Sequence, residues 1–132
     1  MANTVNIHLI ENGEKNVLLH VYLKSDGASG ELSNETLVTP AELGMLAGAR
    51  FRLSRIEYNF SGFDAVLSFG SGGVTPNFKW VLTEGTNAPV DFERWGRIYD
   101  NSGMDGTAQL AITTTGFTNS ADQGSLLIRL VK

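Results

Sequence analysis

Two histidines, His8 and His20, are the only imidazoles of the chain, and no cysteine accompanies them. Histidine can ligate a metal or move a proton near neutral pH. A zinc site, however, takes three or four ligands. Both histidines fall in alternating stretches on either side of Asn12-Gly13, residues that tolerate the positive φ of a tight hairpin turn. A hairpin with a four-residue loop near positions 11–14 sets His8 opposite residues 17–19 and His20 opposite residues 5–7. The two are then near neighbours, diagonal at closest, with no third ligand beside them. They read as strand histidines at the surface or an interface, and no metal site is expected.

Asp64, Glu84, Asp91 and Glu93 are candidates for the paired carboxylates of glycoside hydrolysis, which must face each other across a cleft. Any chain with fourteen acidic residues supplies such candidates, so their presence singles out no pair. Asp100-x-Ser102-x-x-Asp105-Gly106 carries oxygen ligands and a glycine, but not the alternating ligands and distal glutamate of a calcium loop. A tight Asx/Gly turn accounts for it. Gly70-Ser71-Gly72-Gly73 lacks the Gly-Lys-Ser/Thr ending of a phosphate loop, and no helical pattern follows. Neither Gly-x-Ser-x-Gly nor a Cys/His pair occurs. No catalytic residue, metal ligand or cofactor is therefore assigned, and an enzyme is not expected. Trp80, Phe92, Trp95 and Tyr99 stand near Asx-rich loops and could stack on sugars, although most aromatics of so small a chain belong to its core. Arg94-Trp95 and Arg97 suit a protein contact, because Trp, Tyr and Arg dominate interface hot spots.

Composition narrows the classes further. A chain of 132 residues fits one domain, 1–132, and its seven Phe, three Tyr and two Trp can fill a core without staples. Charged residues are 18 % of the chain, below the roughly 25 % of ordinary soluble domains. Small polar residues and fifteen glycines take their place, a mixture that suits loop-rich β proteins and subunits of assemblies alike. The net charge is −4 and no contiguous basic block occurs, so direct nucleic-acid binding is not expected. The opening residues lack a basic stretch followed by an apolar one, and no run approaches the ~18 apolar residues of a membrane span. Neither a secretory signal nor a membrane association is expected.

The alternation that frames these residues has a period of two. Thr4 to Ile10 and Lys15 to Leu23 read as a hairpin, the second strand apolar on both faces (Val17/Leu19/Val21/Leu23 and Leu18/His20/Tyr22) as a central or interface strand would be. Further strands are expected over Glu31 to Val38, Phe51 to Phe60, Phe63 to Phe69, Asn77 to Thr83, Val90 to Phe92, Thr107 to Thr115 and Ser125 to Val131. The apolar set changes parity between Leu53 and Ile56, which predicts a bulge or bend near Ser54-Arg55. Thr39-Pro40-Ala41-Glu42-Leu43-Gly44 carries the capping signals of one or two helical turns, placed to bridge two sheets. Eight or nine strands with turns every 8–12 residues predict an all-β, single-domain antiparallel β-sandwich or jelly roll with one short helical turn.

The chain as a whole resembles the small virion proteins of tailed bacteriophages. The likeness is carried by the opening Met1-Ala2-Asn3-Thr4-Val5, by His20-Val21-Tyr22-Leu23-x-Ser25-Asp26-Gly27 and by Gly30-Glu31-Leu32-x-Asn34. Ile56-x-x-x-Phe60-x-Gly62-Phe63, Asp105-Gly106-Thr107 leading to Thr115-Gly116-Phe117, and Leu126 to Lys132 complete it. The loops Gly70 to Pro76 and Trp95 to Asp100 depart from the group. The resemblance implies a non-enzymatic capsid decoration (cement) protein. Such a protein is made in the host cytoplasm and sits on the capsid exterior of the virion. It binds the major capsid protein as a homo-oligomer, with a trimer favoured. The alternative is a tail, neck or fibre-associated β-sandwich module that binds a glycan or host surface. Leu18, Tyr22, Trp95 and Arg97 are the expected protein-interface residues, and Ala2 to Thr4 an arm able to reach a neighbour by strand addition.

Overall fold

The computed structural model describes residues 3–33, 35–45, 51–69, 79–86, 89–93, 96–99 and 110–132. Two antiparallel sheets pack face to face as an all-β sandwich. The larger sheet runs β1 (Thr4–Asn12), β2 (Asn16–Lys24), β11 (Gln123–Val131), β4 (Arg52–Ser61). Three two-residue strands, β7 (Gly85–Thr86), β8 (Val90–Asp91) and β9 (Ile98–Tyr99), line the far edge of β4 in turn. The smaller sheet runs β3 (Glu35–Val38), β10 (Leu110–Thr115), β5 (Asp64–Phe69), β6 (Lys79–Leu82).

Alternation drives this arrangement. Val17, Leu19, Val21 and Leu23 of β2 face inward beside Leu126, Ile128 and Leu130 of β11 and Leu53, Ile56 and Phe60 of β4. Ala65, Leu67 and Phe69 of β5 oppose them from the smaller sheet with Leu110 and Ile112 of β10. All join one contiguous buried cluster. Burial of this apolar area supplies the main favourable term of folding. The parity change in β4 is a bulge: Arg129 faces Arg55, whereas Leu130 faces Leu53, leaving Ser54 as the extra residue. Ser54 is fully buried and its hydroxyl donates to Glu93 Oε1 at 2.8 Å, tying the bulge to the chain beyond β8.

The helical signal becomes a single 3-10 turn, Ala41–Leu43, between β3 of one sheet and β4 of the other. Thr39 Oγ1 donates to Glu42 Oε1 at 3.1 Å, and Gly44 closes the turn with φ 75 and an N–H bond to Ala41 O. The first hairpin differs from its sequence expectation. Its turn is centred on Glu14-Lys15, closed by Gly13 N–H to Asn16 O at 3.0 Å, and Ile10 is a bulge between Leu9 and Glu11. β1 therefore runs longer than the alternation suggested. The expected strand over residues 31–38 is confined to β3, because Glu31 and Leu32 serve loop contacts with β10 instead. Among the described residues no helix is long and apolar enough to cross a membrane.

Candidate functional site

The outward face of the larger sheet carries two of the expected contact residues, Leu18 and Tyr22. Ladder register arranges its side chains in rows across β1, β2, β11 and β4. One row is Glu11, Leu18, Arg129, Arg55; the next is His8, His20, Leu127, Glu57; the third is Asn6, Tyr22, Ser125, Asn59. Leu18, His20, Tyr22, Leu127 and Arg129 are each half-buried. Leu18 and Leu127 lie on neighbouring strands in adjacent rows, which gives the face an apolar centre. Shallow grooves follow it, one lined by Leu18, Arg55, Glu57, Leu127 and Arg129, another by Tyr22, Asn59, Ser61, Gln123 and Ser125.

Charge is concentrated on one row. Arg55 and Arg129 are directly opposed across the ladder, a like-charge pairing that weakens a sheet unless countered. Arg55 is countered by Glu57 at 3.2 Å, both side chains nearly half exposed, a pair that adds little stability in water. The Arg129 side chain forms no ion pair with a described residue. Tyr22 keeps its hydroxyl in place by donating to Gln123 Oε1 at 3.0 Å. The face thus offers apolar carbon, hydrogen-bonding edges and a half-buried guanidinium.

Leu18 and Tyr22 share this face on either side of His20. Arg97 does not join them. It precedes β9 at the far edge of the same sheet, beyond β4. It is half-buried and left-handed at φ 69, and its buried Nε has no hydrogen-bond partner among the described residues. Trp95 lies outside the described residues, as do the Gly-rich stretch 70–76 and the Asx/Gly stretch 100–106. His8 and His20 are closer than the hairpin arithmetic placed them. They stand directly opposite each other, because the turn falls later than Asn12-Gly13 and the Ile10 bulge resets the register. No group of three or more His, Cys, Asp or Glu able to hold a metal occurs among the described residues.

The four carboxylates considered for hydrolysis all hold backbone or bulge in place. Asp64 Oδ1 accepts the Glu84 amide at 2.6 Å, and Glu84 Oε2 accepts the Gly62 amide at 2.8 Å. Asp91 Oδ1 accepts the Glu93 amide at 2.8 Å, while Glu93 takes the Ser54 hydroxyl. Other acids do the same at the end of the sandwich. Glu31 accepts from the Thr114 hydroxyl and from the Gly116 and Phe117 amides at 2.9, 2.6 and 2.8 Å. Asp122, largely buried, accepts from the Thr118 and Asn119 amides. Ala2 lies outside the described residues, and Asn3 and Thr4 make contacts within the chain. Thr4 starts β1, and Asn3 donates to Gly30 O at 2.9 Å while accepting the Asp26 amide at 3.0 Å.

No protein-family model matches this chain, and no curated protein matches it in sequence. Leu127, Arg129, Arg55 and Glu57 are among the members of the face that the sequence left unassigned. The alternation of Leu127 and Arg129 with inward Leu126, Ile128 and Leu130 marked them as outward. Their neighbours become visible only once β11 is seen to run between β2 and β4.

Proposed function

We propose that this chain is a structural protein of a tailed-bacteriophage virion, a decoration protein that binds the outside of the shell through the outward face of its larger sheet. The observation that carries the reading is the half-buried cluster of Leu18, Leu127 and Tyr22 beside Arg129, which has no ion pair among the described residues. The sequence resemblance supports the assembly, and the face supports the chemistry. Its complement on the major capsid protein is an apolar surface bearing a carboxylate for Arg129. Copies act together as a homo-oligomer, so that modest contacts sum over many attachment points. Arg97 is a second, separate contact at the sheet edge, where its left-handed backbone is the kind of local strain that clusters at functional positions.

The test is co-sedimentation with undecorated phage heads. Wild-type protein pellets with heads, whereas Leu18→Lys and Tyr22→Ala reduce occupancy by about tenfold or more, equivalent to about 1.4 kcal/mol. Both variants keep the wild-type circular dichroism and melting temperature. Wild-type occupancy in both overturns the assignment of this face. A second reading, a tail or neck module that binds glycan, is favoured by one observation. Trp80 is 38 % exposed and stands edge-on to Phe92 at 5.1 Å and 89°, a partly open aromatic surface. Copy number in purified virions separates the two: hundreds for a shell protein, a few dozen or fewer for a tail component.

A further inference from the structure

β1 is the outer strand of the larger sheet, and most of its apolar side is exposed. Val5, Ile7 and Leu9 pair with the inward-facing Leu23, Val21 and Leu19, so they point to the core side of the sheet. Val5 packs against the edge of the core, but the described strands of the smaller sheet do not shield its neighbours: Ile7 is 41 % and Leu9 39 % exposed, with the bulged Ile10 at 51 %. Among the described residues no strand pairs with the other side of β1. Monomeric β proteins usually blunt such an edge with lysine, proline or a very short strand. Thr4 to Ile10 contains no lysine, no proline and no carboxylate.

Which backbone groups point outward follows from the ladder. Gly13 N–H bonds Asn16 O toward β1, and Ser25 N–H bonds Asp122 O toward β11. Alternation between these anchors directs the even residues of β2 to β1 and the odd residues to β11. Thr4, Asn6 and His8 are opposite even residues, so their backbone groups are bonded within the sheet. Val5, Ile7 and Leu9 present theirs at the open edge.

We propose that β1 pairs antiparallel with β1 of a second copy of this chain, about a two-fold axis at Ile7, joining two larger sheets into one. The sequence of the edge selects that partner and that register. Centring on Ile7 sets Val5 against the partner's Leu9 and Ile7 against its counterpart, with Asn6 against the partner's His8. Centring on His8 would instead set Val5 against Glu11 and oppose the two imidazoles. Centring on Asn6 would leave Leu9 against Asn3. The Ile10 bulge ends the pairing after Leu9, and the two-fold uses up both edges, so the contact closes as a dimer and not a fibre. This edge contact is separate from the outward face assigned to the capsid, and either can fail alone.

Size-exclusion chromatography with light scattering on the full chain tests it. Wild-type protein elutes at twice the 14.3 kDa chain mass. Ile7→Pro removes the outward N–H alone, a change an edge strand tolerates, and Ile7→Lys places a charge on the axis. Both variants become monomeric with unchanged circular dichroism. Because the chain has no cysteine, Ile7→Cys under oxidation cross-links to itself, and a mixture of Val5→Cys with Leu9→Cys cross-links as a heterodimer. A monomeric or trimeric wild type, a dimer that survives both Ile7 substitutions, or an Ile7→Cys chain that stays uncross-linked overturns the proposal. A monomer that still pellets with phage heads overturns this edge contact alone. A dimer that ignores heads overturns only the capsid assignment.

Discussion

Gly124 lies directly across the β4–β11 ladder from Phe60, and a Cβ added to it would stand 2.4 Å from the Phe60 ring. The same Cβ would come within 3.0 Å of Phe63 and 3.1 Å of the Asn59 carbonyl oxygen. Glycine in a strand interior ordinarily weakens the strand. Here its bare backbone floors an aromatic cluster. Phe60 stacks on Phe63 with centroids 4.6 Å apart, and Phe63 meets Phe117 edge-on at 4.6 Å. Tyr58 adjoins Phe60 at 5.1 Å.

Gly124→Ala therefore overpacks the core and lowers stability by about 1–3 kcal/mol, read as a lower urea midpoint at unchanged slope. Combining it with Phe60→Leu recovers part of that loss, since the two positions share one volume. Additive losses in the double variant would show that the ring is not what the methyl meets.

Asp26 gives a pH prediction. Its carboxylate accepts the Ser29 hydroxyl, then the Ser29 amide at 2.7 Å and the Ala28 amide at 2.8 Å, and these bonds lower its pKa from 3.8 to about 2. The folded pKa lies below the unfolded one, so the loop is stabilised by the ionised form. That contribution is complete above about pH 4 and is lost as pH falls through about 2. Carboxyl-carbon NMR titration should place the Asp26 midpoint near the lower value, and Ser29→Ala should raise it. A midpoint in the ordinary aspartate range in the wild-type chain would refute the Ser29 and Ala28 bonds.

Arg97 tests strain. Its φ of 69 is unfavourable for a residue with a Cβ, by about 1–2 kcal/mol, and its amide is held by Phe92 O at 2.9 Å. Arg97→Gly should raise the denaturation midpoint, and Arg97→Ala, which keeps the Cβ, should not. Equal midpoints for the glycine and alanine variants would show that the backbone is not under strain there.

Local patterns were legible wherever neighbouring residues settle the outcome. The alternation of Phe63 to Phe69, the bulge at Ser54 and the capped turn at Thr39 to Gly44 each follow from a few adjacent side chains, and each is found. Leu18 and Tyr22 could be placed on one strand face for the same reason. The hairpin turn was misplaced by a few residues because Asn12-Gly13 is a turn signal by composition, yet Glu14-Lys15 closes the loop without it. A misplaced turn shifts every pair behind it, which is why His8 and His20 stand opposite and not diagonal.

The sequence by itself determined the all-β fold class, the two apolar faces of β2 and the absence of cysteine chemistry. These depend on residue type and period, which are local. Tertiary structure alone decided which strands are neighbours, and so which outward side chains meet. Arg129 reaches Arg55 and Leu18 only because the last strand inserts between the second and the fourth. It also decided that Ile7 and Leu9, alternating as core residues do, remain exposed. Alternation says which side of a strand is apolar, but whether that side is buried depends on how far the opposing sheet extends.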